Sequence, residues 1–403
     1  MQVSTYERIE AVVKLTERCN IDCSYCYMFN KSSDLYLRKP KQISISCAEN
    51  IARFLLHAAK SKGTKSVRII MHGGEPLMLN KEVFRGICDT FYRVLSEEVT
   101  VKFALQTNAI LVNDDWISLF SRYQVSVGVS LDGPEHLNDL ERVDHNGQGT
   151  YTKTVEGTRK LQESALQGDI PYPALLCVID PRHDGGEIFR HFVDDLNFYS
   201  LDFLLPIETY DTASRSVVEG VGTYLVSVLD SWLEHEDQER IFLRFFDSFY
   251  QFVTGKNRIT GEEVRGSNTL ILTFATDGTF GPDDTLRILG DELFDFDSRE
   301  TTIDEYLSKS SIRRIEVANK VAPKACTDCS WVGYCRGGAA NGRVINRYQS
   351  ETGFDNKSLL CPSLREIYTR VASSLLEGGA DKQRLVRLLE RSAESALGAG
   401  KFS

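Results

Sequence analysis

Six strand-like stretches, each followed by a helical one, constrain this chain more than any other feature. The strand-like stretches are Ala11–Thr16, Ser66–His72, Val101–Asn108, Val125–Leu131, Pro173–Ile179 and Leu201–Ile207. Between them lie amphipathic runs over Cys47–Ala59, Lys81–Leu95, Asp114–Tyr123, Tyr151–Ser164 and Gly186–Leu196. Such alternation predicts βα units and a parallel sheet. Parallel βα units curl into barrels whose chemistry sits at the C-terminal strand ends. The fold class is therefore read as α/β, a partial (β/α)6 TIM-type barrel followed by a smaller Cys-rich C-terminal domain. The expected segments are the barrel at 1–215, a helical bridge and linker at 216–267, an auxiliary domain at 268–375 and a helical tail at 376–403. Within the bridge, Lys256–Ser267 is polar and contains glycine, as a linker would.

Directly after the first strand, Cys19, Cys23 and Cys26 place three thiols within eight residues. A closed tetrahedral zinc site needs a fourth ligand nearby, which this spacing does not supply. Three thiolates suit a cubane iron–sulfur cluster, because they leave one iron open. Other motifs also fall at strand ends: His72-Gly73-Gly74-Glu75-Pro76 after the second, Gln106-Thr107-Asn108 at the third, and Ser130-Leu131-Asp132-Gly133-Pro134 at the fourth, with Arg142 beyond it. Glycines let backbone approach a ligand closely, and a guanidinium fork suits a carboxylate. Each alone also has a plainer reading: a turn for the Gly-Gly-Glu-Pro segment, a helix cap or surface ion pair for the others.

The C-x3-C-x2-C spacing, with Tyr25 before the last cysteine, resembles the signature of the radical S-adenosylmethionine (SAM) superfamily. The Gly-Gly-Glu segment resembles its partner motif. The resemblance implies a [4Fe–4S] cluster on Cys19, Cys23 and Cys26 that binds SAM and cleaves it to a 5′-deoxyadenosyl radical. It also implies SAM contacts from Tyr25, His72, Gly73, Gly74, Glu75, Asn108, Ser130, Asp132 and Arg142.

A second set, Cys326, Cys329, Cys335 and Cys361, can close a zinc site or ligate a further Fe–S cluster. It resembles the outer-cluster ligands of the SPASM domain on peptide-modifying radical SAM enzymes. Ala339 and Asp283 stand where inner-cluster cysteines would be, so one auxiliary [4Fe–4S] cluster is expected. Cys47, Cys88 and Cys177 fall on helix or strand patterns and read as core residues. Asp284 aligns with the acid that acts as general base in sulfatase-maturing relatives, while its plain reading is a solvated loop aspartate.

Gly337-Gly338, Asn346-Arg347-Tyr348 and Gly353-Phe354-Asp355-Asn356 resemble maturases that form three-residue cyclophanes in ribosomal peptides. The function expected on that basis is a C–C crosslink between an aromatic ring and a nearby side-chain carbon of a precursor peptide. A flavodoxin or ferredoxin would be the reductant. Two alternatives stand beside it: a formylglycine-forming maturase of the sulfatase type, and a non-catalytic zinc-ribbon protein.

A formal net charge of −10 gives no general cationic surface for nucleic acid. No apolar run approaches the length of a membrane span. Without a secretory signal pattern, the expected location is the cytoplasm, where ten cysteines serve better as ligands than as disulfides.

Overall fold

The computed structural model describes residues 5–31, 34–258 and 268–398. Most of the expected linker, 259–267, lies outside them. The strands in chain order are β1 (Arg8–Thr16), β2 (Ile21–Cys23), β3 (Ser66–Gly73), β4 (Thr100–Thr107), β5 (Ser126–Ser130), β6 (Arg142–Asp144), β7 (Ala174–Val178), β8 (Ser200–Leu204), β9 (Phe242–Leu243), β10 (Thr269–Phe274), β11 (Thr279–Gly281) and β12 (Phe296–Asp297). The architecture is mixed α/β with a mostly parallel sheet, a partial TIM-type barrel.

The chain divides into two compact units, 1–176 with 266–312 and 177–265 with 313–403. These cuts differ from the sequence-based boundaries, because 269–274 pairs in parallel with β1. The sequence reading assigned little regular structure there. A run of Thr-Leu-Ile-Leu-Thr-Phe followed by Asp277-Gly278 is nonetheless a strand-and-turn signal. β11 then returns antiparallel to β10.

In the first unit, β3 lies between β1 and β4, and β5 continues the parallel order toward β7. Alternate residues such as Val67, Ile69 and Met71 are buried on one face, while the others point to the opposite face. The helix Ile45–Lys62 covers the sheet with Ile51, Phe54, Leu55 and Ala58. Its first turn is capped by Ser44, and its last ends on Gly63 in the left-handed conformation. The helix Lys81–Leu95 buries Phe84, Ile87, Cys88 and Phe91 in the same layer.

The second unit holds β8 paired in parallel with β9 and the helices Val221–Leu233, Arg244–Thr254, Cys361–Glu377 and Lys382–Ala396. Phe249, Tyr334 and Tyr368 pack there with ring centroids 4.9–6.0 Å apart. The aromatic run 242–250 thus includes core residues, Phe246 and Phe249 being buried. No helix among the described residues is long and apolar enough to cross a membrane.

Candidate active site and auxiliary cysteine site

The chain leaves β1 at Thr16 and enters the loop that carries Cys19, Cys23 and Cys26. Gly73 and Gly74 let that loop pass close by. A Cβ on Gly73 would lie 2.3 Å from the Thr16 carbonyl oxygen, and one on Gly74 would lie 2.1 Å from that of Arg18. Gly73 also has φ +137°, where only glycine is unstrained. The Gly74 and Glu75 amides donate to the carbonyls of Thr16 and Arg18 at 2.9 Å. The motif after β3 therefore holds the cysteine loop in place.

Glu75 is 1 % exposed. Its Oε1 accepts from the Leu77 amide at 3.0 Å and the Thr107 hydroxyl at 2.7 Å, and its Oε2 accepts from the Asn108 amide at 2.8 Å. The carboxylate is a brace between the ends of β3 and β4. Asn108 in turn donates to the Asn20 side chain at 2.8 Å, tying β4 to the cysteine loop.

β2 and β6 form a short antiparallel pair that sets Cys23 opposite Arg142. Buried Arg142 donates to the Tyr25 hydroxyl at 2.8 Å and lies 3.7 Å from Asp132, which Tyr25 also reaches. Its Nε is buried with no acceptor among the described residues. A buried guanidinium N–H left open fits an anionic ligand group such as a carboxylate. Ser130 accepts from Gln106 at 3.3 Å. Tyr25, Asp132, Arg142 and the cysteines are thus assembled around one loop system at the C-terminal strand ends.

The thiols themselves are costly unless ligated. Burial pushes Cys19 up to about 12 and Cys23 up to about 11, and Cys26 is raised as well. Backbone amides of Met28 and Phe29 nevertheless point at Cys26, and that of Ile21 at Cys19. Metal ligation supplies the thiolate form that these amides are placed to receive. No three His, Cys, Asp or Glu among the described residues converge on one metal-ion position. A cubane does not require that, because each thiolate binds its own iron. The residues present fit a [4Fe–4S] cluster.

Deeper in the barrel, sequence reading missed a cluster. Lys14 on β1 is fully buried, and its Nζ lies 2.6 Å from Asp284 Oδ2, 3.1 Å from His72 Nδ1 and 3.2 Å from the Tyr27 hydroxyl. Tyr27 also donates to Asp284 Oδ2. Burial pushes the Asp284 carboxyl up, but the Lys14 ammonium and its other neighbours outweigh this and hold it well below the usual carboxylate range. Asp284 is therefore not a solvated loop residue; its side chain is 13 % exposed. The available signal was a lysine inside the run Ala-Val-Val-Lys-Leu, a charge where a strand is otherwise buried.

His72 sits between these residues and Gln106. Its Nδ1 faces the Gly73 amide at 2.8 Å and the Lys14 ammonium, both donors, so Nε2 carries the proton and donates to Gln106 Oε1 at 3.1 Å. Burial and the adjacent Lys14 lower its pKa to about 4, which keeps the ring neutral. Both ring nitrogens are thereby engaged by protein groups.

In the second unit, Cys326, Cys329, Cys335 and Cys361 line one pocket with Trp331, Tyr368 and Lys357. The Gly338 amide donates to Cys335 Sγ at 3.2 Å. Four thiols around a single cavity fit one auxiliary cluster. Cys47, Cys88 and Cys177 are buried elsewhere.

Buried Arg347 supports this site. It donates to the carbonyls of Phe354, Asn356, Ala318 and Val321 at 2.7–3.1 Å. Asn356 returns a bond to the Arg347 carbonyl at 3.1 Å, and the Tyr348 and Phe354 rings pack edge to face. Asn346 donates to the carbonyls of Pro206 and Glu208. The segments that suggested a cyclophane former are thus two sides of one scaffold that leads into Cys361. Packing and main-chain hydrogen bonds account for Asn346, Arg347, Tyr348, Phe354 and Asn356.

Comparison with known proteins agrees. Residues 13–171 match the model of the Radical SAM superfamily. The chain is 21 % identical over 369 residues to a cysteine-type anaerobic sulfatase-maturating enzyme of Clostridium novyi (strain NT), covering 89 % of this chain and 94 % of the relative. It is 24 % identical over 352 residues to a serine-type enzyme of Klebsiella aerogenes, covering 82 % and 80 %. The solved structure of native anSMEcpe with bound AdoMet and Cp18Cys peptide superposes with a TM-score of 0.75 at 20 % identity, over 95 % of this chain and 99 % of that one. These relatives overturn the cyclophane expectation and favour the sulfatase-maturase alternative. The chain carries a radical SAM domain and is an enzyme with homology to anaerobic sulfatase-maturating enzymes.

Proposed function

We propose that the protein oxidises a cysteine or serine side chain of a peptide to formylglycine, as an anaerobic sulfatase-maturating enzyme. The observation that carries this reading is the extent of the similarity: relatives named for both the cysteine and serine activities align over four-fifths or more of this chain. When bound, SAM and the clusters on Cys19, Cys23 and Cys26 and on Cys326, Cys329, Cys335 and Cys361 supply a hydrogen-abstracting radical and an acceptor for the electron left behind. A flavodoxin or ferredoxin is the proposed reductant.

The chain's own residues do the rest. Gly73 and Gly74 offer backbone close to the cysteine loop, with Glu75 and His72 holding that backbone. Arg142, with its open Nε, takes the SAM carboxylate, and Tyr25, Asp132, Ser130 and Asn108 complete the pocket. Asp284 is the general base. Its Oδ2 accepts from Lys14 and Tyr27, while Oδ1 has no partner among the described residues and is open to a substrate proton. A cysteine that gives up a hydrogen atom, a proton and an electron becomes a thioaldehyde, which water converts to the aldehyde with loss of sulfide. Serine reaches the aldehyde directly.

The test is anaerobic incubation of the reconstituted protein with SAM, reductant and matched peptides bearing cysteine or serine. A product that reacts with a hydrazide, and from cysteine lacks sulfur, is expected. A crosslinked product without an aldehyde, or no turnover of either peptide while 5′-deoxyadenosine accumulates, overturns the proposal. A colourless protein that binds zinc and no iron overturns it as well.

A further inference from the structure

Lys14 is a fully buried cation inside the barrel, and its position is fixed by strand register. β1 and β3 pair so that Lys14 stands opposite His72, which brings their side chains to the same side of the sheet. Asp284 arrives from a different part of the chain, the 3-10 turn Asp284–Leu289 that follows β11. Asp283 caps that turn by accepting from the Thr285 amide at 2.9 Å, so the backbone under Asp284 is itself held. The ammonium meets Asp284 at Oδ2 only, and Tyr27 donates to the same oxygen. His72 is neutral and contributes an acceptor, not a second charge. Glu17 lies farther along β1's exit, near Arg287 at 3.9 Å. One edge of the Asp284 carboxylate is therefore occupied by a cation and a phenol, and the other edge meets no partner among the described residues.

We propose that Lys14 is a positioning residue for Asp284: its ammonium fixes the Oδ2 edge and leaves Oδ1 as the edge that collects the substrate proton. This rests on the reading of Asp284 as the base. Pinning a carboxylate by one oxygen aligns its second lone-pair set and removes a torsional freedom that an unpaired side chain would keep. The ammonium also makes the ionised carboxylate the resting form, so the base is ready before the radical step. Among the described residues Lys14 hydrogen-bonds Asp284, His72 and Tyr27 and neither a cysteine sulfur nor Arg142, so its one link to the SAM side of the site is through His72.

The experiment uses the full-length reconstituted protein and the cysteine peptide. Lys14→Met is expected to keep its iron, its cluster absorption and peptide-independent 5′-deoxyadenosine formation. Its aldehyde kcat should fall on the order of tenfold or more while the peptide KM stays within about threefold. The number of deoxyadenosines made per aldehyde should therefore rise. Lys14→Arg, which keeps the charge, should recover part of the coupling. Lys14→Gln, which keeps a donor without the charge, takes the place of Lys14→Met if that variant loses its iron. Coupling unchanged in the uncharged variant, or deoxyadenosine and aldehyde falling in parallel, overturns the proposal. Asp284→Asn separates the two levels: turnover retained there removes the base itself, whereas an inactive Asp284→Asn beside a fully coupled Lys14 variant removes only the role of Lys14.

Discussion

Lys14 and Asp284 are 270 residues apart in sequence and 2.6 Å apart in the fold, forming an ion pair in which the lysine is wholly excluded from solvent. Such a pair is costly to break from one side, because the remaining charge is left buried without a partner. Lys14→Met should therefore destabilise the protein by about 3–5 kcal/mol. Removing both charges in Lys14→Met/Asp284→Asn should cost much less than the sum of the single changes. Denaturant melts of the four proteins check this. Additive losses would mean that the two side chains do not sense each other.

Glu75 supplies a second prediction. Its carboxylate accepts three hydrogen bonds inside the protein, two of them from the β4 end at Thr107 and Asn108. Glu75→Ala strands those donors and should cost about 2–4 kcal/mol of stability. Because Glu75 holds the Gly73–Gly74 backbone, SAM affinity measured by calorimetry should fall as well. A fully stable Glu75→Ala variant would contradict the bracing role.

His72 makes a pH prediction with a definite sign. Its folded pKa, about 4, lies below its ordinary value of 6.5. The unfolded chain therefore takes up a proton before the folded one does. The stability linked to His72 is whole above pH 6.5 and declines as pH falls toward 4, by up to about 3 kcal/mol at the lower end. His72→Gln removes this term, so the stability difference between wild type and variant should move in favour of the variant as pH drops from 7 to 5. A difference independent of pH would sink the assignment of a neutral buried ring.

The cysteine sets divide the iron. Ligation of one [4Fe–4S] cluster by each set corresponds to about eight irons per chain. Cys326→Ala should leave about half of that and preserve reductive SAM cleavage, whereas Cys23→Ala should abolish cleavage. Iron and sulfide analysis with a deoxyadenosine assay decides the matter. Loss of cleavage in Cys326→Ala would show that the second set is needed for the first step.

The six βα repeats were legible in the sequence because alternation and amphipathic period are local signals. The strands at 66–73, 100–107 and 174–178 and the helices at 81–95 and 114–123 follow them within a residue or so. The strand at 269–274 escaped because it lies outside the βα alternation and finds its partner, β1, some 260 residues earlier. The Asn346–Arg347 and Gly353–Asn356 segments were legible as motifs, but their meaning was misread. A motif reports that residues are required and does not say whether chemistry or packing requires them. Their contacts to main-chain carbonyls supply the packing reason.

By itself the sequence determined which thiols are available, their spacing and their place just beyond a strand, since ligand chemistry and βα periodicity are properties of neighbouring residues. Only the tertiary structure decided that Glu75 braces, that His72 is neutral, and that Asp284 is a largely enclosed carboxylate paired with Lys14. Each of these depends on which distant groups share a low-dielectric interior, and that is set by strand register and by loops returning from elsewhere in the chain.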